Sequence, residues 1–368
     1  MAADWYTINN IDELDTPALV VYPDRVKENI RLAKSMVDDV SRLRPHVKTH
    51  KSAAVTRLMI EAGITKFKCA TIAEAEMLAM NDAPDVLLAY QPSGPKLERL
   101  IRLIKFYPSV HFSCLVDNLS SAENISKTTS KNNLVIDVYV DLNIGMNRTG
   151  IYPEDAMDLY QISTALPGLN VKGLHAYDGH IHDEGINKRT KHCDKCYEAV
   201  AKLQKRLKKK GHYPVIIAGG SPTFPIHAQR DDIEVSPGTF IYWDRNYQLC
   251  CPEQHFLPAA LVVARVISLP TKKTICIDCG HKSIASENEL GRRIYFLNTP
   301  ELKMTGHSEE HLIANAGEGH HYKVGDVLYG LPYHICPTVA LYERAVTVEN
   351  KQAKGEWKNI ARDRKINI

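Results

Sequence analysis

The feature that most constrains the fold of this chain is a regular alternation of strand-like and helix-like segments over residues 18 to 220. The strand-like segments are short runs of apolar residues, and the segments between them carry apolar residues at helical spacing. The eight strand-like runs are Ala18–Tyr22, Leu43–Lys48, Lys66–Ala70, Val86–Tyr90, Phe112–Val116, Val135–Leu142, Val171–Tyr177 and Val215–Ala218. Eight strands that alternate with helices predict an α/β fold, a (β/α)8 barrel of the TIM type with its functional side chains at the carboxyl ends of the strands.

After Pro258 the pattern changes to short β-rich runs that are separated by Gly, Pro and Asn. These runs are Ala260–Ile267, Thr274–Ile277, Arg293–Phe296, Val327–Tyr329 and Ala345–Val348. They predict a C-terminal all-β domain. We place the barrel at residues 16–255 and the β domain at residues 256–368, and we expect residues 1–15 to add to the β domain, because Thr16-Pro17 favours an extended backbone there.

Composition excludes several classes of protein. With 368 residues, of which 44% are hydrophobic, the chain can bury a large core. The formal charge of +3 comes from well-mixed signs, which argues against nucleic-acid binding. No apolar run is as long as a membrane span, and Met1 to Asp4 do not begin a charged leader with an apolar segment after it. We expect a soluble cytoplasmic protein that keeps its nine scattered cysteines reduced.

The octapeptide Arg44–Lys51 places a lysine between two histidines at the end of the second predicted strand. An amine in a closed polar pocket loses its proton more easily than one in solvent, and it can then form a Schiff base with an aldehyde. Lys48 is the candidate for this catalytic amine. Taken alone, a basic turn after a strand is more often a solvated surface loop, so the prediction depends on other segments of the chain.

Two glycine-containing segments lie where late barrel strands end. Gly219, Gly220 and Ser221 follow the last predicted strand, and Gly238 and Thr239 come soon after them. Glycines let backbone N–H groups approach a phosphate, and the hydroxyl groups add further donors. One such segment would be an ordinary turn, but two of them near the last strands match the place where barrels hold phosphates.

Two further segments carry polar side chains that suit an aromatic cofactor and its substrate. Arg148, in a glycine-bounded loop after the sixth strand, stays protonated in any site and can donate to a phenolate oxygen. His175 and Tyr177 share one face of the seventh strand, so one of these rings can stack on the cofactor or hydrogen-bond to it. His180 and His182 lie beyond that strand and are candidates for the catalytic base.

The β domain contains a candidate metal pair, His334 and Cys336. In an extended chain residues two apart project to one side, so an imidazole and a thiolate could bind one cation and leave positions open for water or substrate. Nitrogen and sulfur ligands favour zinc over manganese or magnesium. A buried cysteine beside a core histidine is the alternative. The Cys-x-x-Cys pairs at 193 and 276 could instead form a four-thiolate zinc site, although a helix and a strand are predicted there.

In these residues and motifs, the chain resembles the D-threonine aldolase and D-serine dehydratase family over nearly its whole length. These are fold-type III pyridoxal-phosphate enzymes, whose barrel is shared with alanine racemase. The motifs that carry the resemblance are Arg44–Lys51, Met146–Gly150, Gly219–Ser221, Pro237–Thr239 and the pair His334 and Cys336. The resemblance implies that Lys48 forms the Schiff base, that Arg148 lies by the phenolic oxygen of pyridoxal 5'-phosphate, and that the pair binds a divalent metal. It also implies a homodimer.

Two departures from related patterns bear on the reaction. Alanine racemases carry an arginine immediately before the second Pro-Gly, where it pairs with the pyridine nitrogen, whereas this chain has Ser236. Racemisation is therefore disfavoured, because the group that tunes the cofactor for it is missing. Well-known D-threonine aldolases have aspartate at the position of Cys336, whereas zinc-dependent D-serine dehydratases have cysteine there.

We therefore expect a lyase that uses pyridoxal phosphate and a divalent metal to cleave β-hydroxy-D-amino acids to glycine and an aldehyde, as D-threonine aldolase does. The alternative is a zinc-dependent D-serine or D-threonine dehydratase, which would release ammonia and a 2-oxo acid. A pyridoxal-phosphate carrier without turnover is a distant third, because the small relatives of this barrel that act as carriers lack a β domain. The side chain of the natural substrate, the identity of the metal, the choice of base and the partner of the pyridine nitrogen remain open.

Overall fold

The computed structural model describes residues 5–368, so the prediction made for Met1 to Asp4 lies outside the described residues. Within them the chain forms sixteen strands, β1 to β16 in chain order: Ala18–Val21, Lys66–Cys69, Asp85–Leu88, His111–Val116, Ile136–Leu142, Leu169–Ala176, Val215–Ala218, Ile233–Val235, Ala260–Thr271, Thr274–Ile277, Ile294–Phe296, Lys303–His307, Leu312–Asn315, Val327–Pro332, Arg344–Glu349 and Gln352–Lys358. The ten α-helices of the same residues, α1 to α10, are Pro23–Ser35, Ala53–Glu61, Ile72–Ala79, Pro95–Phe106, Leu119–Lys131, Ala156–Ala165, Ile186–Lys209, Phe224–Ala228, Arg245–Cys250 and Ile335–Leu341.

The chain divides into two compact units. The barrel unit comprises Leu32–Lys48, Thr56–Gly238 and Asp363–Ile368. The sheet unit comprises the described residues up to Arg31, Thr49–Val55 and Thr239–Arg362. The domains expected from the sequence are residues 16–255 for the barrel and residues 1–15 with 256–368 for the β domain. They contain fewer separate segments than these two units, and they stay a prediction.

The barrel unit is built on a parallel sheet in which β2 to β8 lie side by side in chain order. The segment that precedes Lys48 joins the two edges of this sheet, because Leu43 pairs with Val235 of β8 and His46 pairs with Lys68 of β2. The sheet thereby closes into an eight-membered barrel, and Leu87, Leu115, Tyr139 and Ile217 pack together in a buried cluster. The predicted α/β barrel fold is confirmed.

One of the eight predicted barrel strands is misplaced, and one barrel strand was missed. The run that begins at Ala18 forms β1 of the sheet unit, where it pairs with β9 and β15. The true last barrel strand is β8, which the apolar pattern missed because Glu234 interrupts it. Glu234 is tolerated in a buried strand because Arg44 and Lys66 pair with its carboxylate. The two glycine-containing segments therefore follow β7 and β8.

The sheet unit contains a nine-stranded mixed sheet in the order β12-β13-β10-β9-β1-β15-β16, with β14 paired to β9 and β11. The sequence predicted five of these strands and missed β12, β13 and β16. Exposed side chains interrupt all three, and so they lack a continuous apolar run. The unit also includes α9 and α10, so it is not purely β. Within residues 5–368, no helix is both long and apolar enough to span a membrane.

Buried ion pairs of Arg44 hold the closing segment of the barrel in place. The side chain of Arg44 is 1% exposed. Its Nε donates to Glu234 Oε2 at 2.7 Å, and its two terminal nitrogens donate to the Asp85 carboxylate at 2.5 and 3.1 Å. Glu234 lies on β8 and Asp85 begins β3, so one guanidinium connects three parts of the barrel wall.

Replacing Arg44 should therefore destabilise the fold strongly. Arg44→Ala removes the buried cation that Glu234 and Asp85 share and leaves them only Lys66 and His111, so we expect the free energy of unfolding to fall by about 3 kcal/mol. Urea denaturation followed by circular dichroism measures this change. Arg31→Ala is the matched control, because the Arg31 ion pair with Glu28 is largely exposed and contributes little. Equal stability of the two variants would contradict the role of Arg44.

Candidate active site

The barrel unit contains a cavity of about 380 Å³, and four of the predicted site residues line it: Lys48, Arg148, His175 and Tyr177. Lys48 follows the closing segment, Arg148 follows β5, and the other two lie at the end of β6 and just beyond it. The carboxyl ends of successive barrel strands converge, which is why side chains from distant parts of the sequence meet here. The cavity is also lined by polar residues that the sequence did not single out: His46, Lys68, Gln91, Asp141 and Thr149.

Three cationic side chains surround the ring of Tyr177. The amines of Lys48 and Lys68 lie 5.8 and 5.6 Å from the centre of the ring, and the guanidinium carbon of Arg148 lies 5.3 Å from it. Among the described residues that line the cavity, Asp141 is the sole carboxylate. The lining is therefore strongly positive, and an anionic ligand suits it.

Asp141 is engaged with His175. Its Oδ1 lies 2.7 Å from His175 Nδ1, and its Oδ2 accepts a hydrogen bond from Gln91 Nε2 at 3.0 Å. Burial lowers the pKa of His175, which outweighs the opposing effect of the hydrogen bond with Asp141. The neutral ring therefore donates from Nδ1 to Asp141 and leaves Nε2 as an acceptor. This Nε2 is buried without a hydrogen-bond partner among residues 5–368.

Lys68 is a candidate functional residue that was not identified from the sequence. It sits inside β2 between apolar neighbours, and only 2% of the residue is exposed. Burial, with the charge of Lys48 as a further cause, lowers the pKa of its amine to about 7. Within the described part of the chain, no carboxylate lies within 4 Å of this amine. A charged group inside a short apolar strand could have served as the signal, since such a group is rarely buried without a function.

The predicted glycine-containing segments lie against each other and beside Tyr177. A side chain at Gly219 would approach His227 Cδ2 to 2.8 Å, and one at Gly220 would approach the Tyr177 ring to 3.1 Å. Ser221 Oγ accepts a hydrogen bond from Gly238 N at 3.3 Å, which joins the two segments. The amides of Gly219 and Gly220 donate to Ala176 O at 3.1 Å and to Thr223 Oγ1 at 3.2 Å, so a role of these segments in phosphate binding stays a prediction. The cationic side chains of the cavity and the unpartnered Nε2 of His175 fit a phosphorylated aromatic anion.

The two candidate bases lie outside the cavity lining. His180 is half-buried, and its Nε2 lies 3.7 Å from Cys196 Sγ, whereas His182 is exposed. The sequence placed both in the loop after β6 correctly, but it could not show which way that loop turns. Their catalytic role stays a prediction.

The candidate metal pair lies in the sheet unit. The extended backbone predicted there is wrong, because His334 immediately precedes α10 and Cys336 lies in its first turn. The two side chains nevertheless interact. Burial alone lowers the pKa of His334, but hydrogen bonds with Cys336 and Glu287 raise it to about 9. Glu287 contacts Nδ1 of His334, which leaves Nε2 for a metal.

Hydroxyl groups and a buried carboxylate surround this pair within the same unit. Thr49 Oγ1 lies 3.1 Å from Cys336 Sγ, and Thr239 Oγ1 lies 3.7 Å from it. Thr239, which was predicted to bind the cofactor, thus contacts the metal pair. Asp244 accepts a hydrogen bond from Ile335 N at 3.2 Å, and burial raises its pKa to about 6. The imidazole and the thiol suit a divalent metal, and the carboxylate of Glu287 orients the imidazole.

Comparisons with known proteins agree on one family. The profile described as "Alanine racemase, N-terminal domain" matches residues 21–246, and the one described as "Putative serine dehydratase domain" matches residues 259–348. D-threonine aldolase of Arthrobacter sp. is 28% identical over 95% of this chain and 93% of its own length. 3-Hydroxy-D-aspartate aldolase of Paracoccus denitrificans is 25% identical over 95% of this chain and 92% of its own.

A solved structure shares the fold over the same extent. D-threonine aldolase from Filomicrobium marinum superposes with a TM-score of 0.86 at 25% identity, covering 95% of this chain and 96% of that one. The resemblance stated from the sequence motifs is therefore confirmed.

Proposed function

Because the chain belongs to the family of the alanine racemase N-terminal domain, we propose that it is a lyase that depends on pyridoxal phosphate and a divalent metal and cleaves β-hydroxy-D-amino acids to glycine and an aldehyde. The observation that carries this proposal is the barrel cavity, where two amines and a guanidinium surround the ring of Tyr177. The relatives named D-threonine aldolase and 3-hydroxy-D-aspartate aldolase support the substrate class.

In this proposal the barrel unit holds the cofactor. Lys48 supplies the amine for the covalent bond, and Gly219, Gly220, Ser221 and Gly238 are the predicted phosphate site. Arg148 faces the phenolic oxygen. His175 accepts a hydrogen bond from the bound cofactor through its unpartnered Nε2, or its ring packs on the ring of the cofactor. Tyr177 can make either kind of contact. Thr239 was predicted to join the phosphate site, and this role stays a prediction.

Pyridoxal phosphate, when bound, supplies an electron sink for the charge left at Cα. A metal on His334 and Cys336 supplies a Lewis acid for the β-hydroxyl. A base takes the hydroxyl proton, the Cα–Cβ bond breaks, its electrons stay with Cα, and the β-carbon leaves as an aldehyde. A proton then returns to Cα, which yields glycine. We retain His180 and His182 as the candidate bases. Zinc is the favoured metal, with manganese and magnesium as alternatives.

A dehydratase that acts on the same substrates is the second candidate. The match of residues 259–348 to a serine dehydratase domain favours it, and so does the cysteine in the metal pair. In that reaction Lys48 takes the α-proton, the β-hydroxyl leaves as water, and water then hydrolyses the released enamine to a 2-oxo acid and ammonia. The homodimer that the resemblance implies stays a prediction. A carrier without turnover is disfavoured, because the chain has the second unit with its metal pair.

Product analysis with D-threonine distinguishes the two reactions. We expect the holoenzyme to release acetaldehyde and glycine, and we expect Lys48→Ala to abolish turnover because the covalent attachment is lost. Lys51→Met is the matched control, because this neighbouring lysine does not line the cavity. Release of 2-oxobutanoate would instead establish the dehydratase. Consumption of L-threonine alone, or no turnover of D-threonine and 3-hydroxy-D-aspartate, would contradict both reactions.

The metal assignment is tested by activity after chelation. We expect chelators to abolish turnover and zinc to restore it. Cys336→Ala should prevent the restoration, because a ligand is missing. Glu287→Gln should raise the zinc concentration that gives half-maximal activity by about 10- to 100-fold, because His334 is no longer oriented. Cys276→Ser is the control, since this half-buried cysteine lies in β10. Unchanged zinc dependence of Cys336→Ala would show that the metal binds elsewhere.

A further inference from the structure

We propose that His180, His192 and Cys196 form a second metal site, which binds zinc or a similar transition-metal ion. One potential ligand atom from each residue lies within 4.8 Å of the other two. His192 and Cys196 are four residues apart on α7, so they project from one face of that helix. His180 comes from the loop after β6. All three residues belong to the barrel unit, whereas His334 and Cys336 belong to the sheet unit.

The distance between His180 and Cys196 matches what a tetrahedral ion requires. Zinc binds imidazole nitrogen at about 2.0 Å and thiolate sulfur at about 2.3 Å, so two such ligands lie about 3.5 Å apart at the tetrahedral angle. His180 Nε2 and Cys196 Sγ lie 3.7 Å apart. The two atoms are therefore spaced to share an ion with little movement of either side chain.

A neighbouring carboxylate orients the third ligand. His192 Nδ1 lies 2.7 Å from Asp183 Oδ2, and this hydrogen bond leaves Nε2 as the nitrogen that we assign to the ion. Histidines that bind metals usually donate their other N–H to a carboxylate in this way. Asp183 is itself paired with Lys188 at 3.7 Å, so the geometry of the imidazole is set by groups outside the ligand set.

A second cluster of potential metal ligands already contacts a cation of the protein, the guanidinium of Arg230. Asp178, Cys193 and His227 also bring potential ligand atoms together, but all three are buried. The guanidinium of Arg230 contacts the His227 ring and the Cys193 sulfur, and Thr223 Oγ1 donates to Asp178 at 2.8 Å. This cluster holds its own cation. His180, His192 and Cys196 are only half-buried, so an ion can reach them.

The donor set determines the class of ion. Two imidazoles and one thiolate favour zinc or a similar transition metal over magnesium or calcium, which prefer oxygen. Three protein ligands leave the fourth position to water. The ion would fasten the loop after β6 to α7. With His180 as a ligand, His182 remains as the catalytic base among the two candidates.

The site is tested in a chain that cannot bind metal at the first pair. We expect the double variant His334→Ala/Cys336→Ala, dialysed against zinc and analysed by elemental mass spectrometry, to retain about one zinc ion per chain. Adding Cys196→Ser or His192→Ala should remove it, whereas adding Cys276→Ser should not. His180 is left unchanged, so that every variant keeps both candidate bases of the proposed reaction. Cobalt substitution gives a second readout, since the thiolate absorption band should disappear with Cys196→Ser alone.

The outcomes separate this site from the proposed function. A folded double variant that holds no zinc would overturn the second site, and so would zinc or a thiolate band that survives Cys196→Ser. Circular dichroism shows whether each variant is folded, and a misfolded Cys196→Ser is replaced by His192→Ala. Failure of the lyase activity would not affect these results, because His192 and Cys196 have no part in the proposed reaction.

Discussion

The buried guanidinium of Arg44 holds together the part of the barrel that lacks a regular strand. The segment before Lys48 pairs with β8 and β2 through isolated bridges, and its backbone amides donate to Val235 O, Pro237 O and Lys68 O. The Arg44 ion pairs with Glu234 and Asp85 add side-chain links to β8 and β3. The network continues to His111, which lies 3.6 Å from Asp85 and 2.8 Å from Asp137. Hydrogen bonds with Asp137 and Asp85 raise the pKa of His111 to about 9. This chain of charges lies at the amino ends of the strands, where barrels place stability rather than chemistry.

At the opposite ends of the strands the charges are left unbalanced. Asp141 is committed to His175, so the amines of Lys48 and Lys68 and the guanidinium of Arg148 face the cavity without a carboxylate partner among the described residues. Lys68 is the buried one of these three cations, and burying a cation costs free energy. An anionic cofactor recovers that cost on binding, and the lowered pKa of Lys68 is the sign of the unmet charge.

The sequence predicted the barrel and four cavity residues well, because strand periodicity fixes which side chains reach the carboxyl ends. It failed where tertiary contacts override the local pattern. The run at Ala18 is equally apolar in either sheet, and its partners alone decide where it belongs. The strand β8 was missed because Glu234 interrupts its apolar pattern. The cations that neutralise this carboxylate, Arg44 and Lys66, are distant in the sequence. Lys68 and Asp141 looked like ordinary polar positions in strands. The turn after Tyr177 could not be foreseen, so the placement of His180 beside Cys196 emerged only from the fold.

The central claim is that Lys48, and not the neighbouring amine of Lys68, attaches covalently to the cofactor. Lys68 is the alternative attachment site in the cavity, because its amine and that of Lys48 lie at nearly the same distance from the ring of Tyr177. The most direct measurement is borohydride reduction of the cofactor-loaded protein, followed by proteolysis and mass spectrometry of the peptides. The account predicts a pyridoxyl group on Lys48 alone. A pyridoxyl group on Lys68, or on no lysine of the cavity, would contradict it.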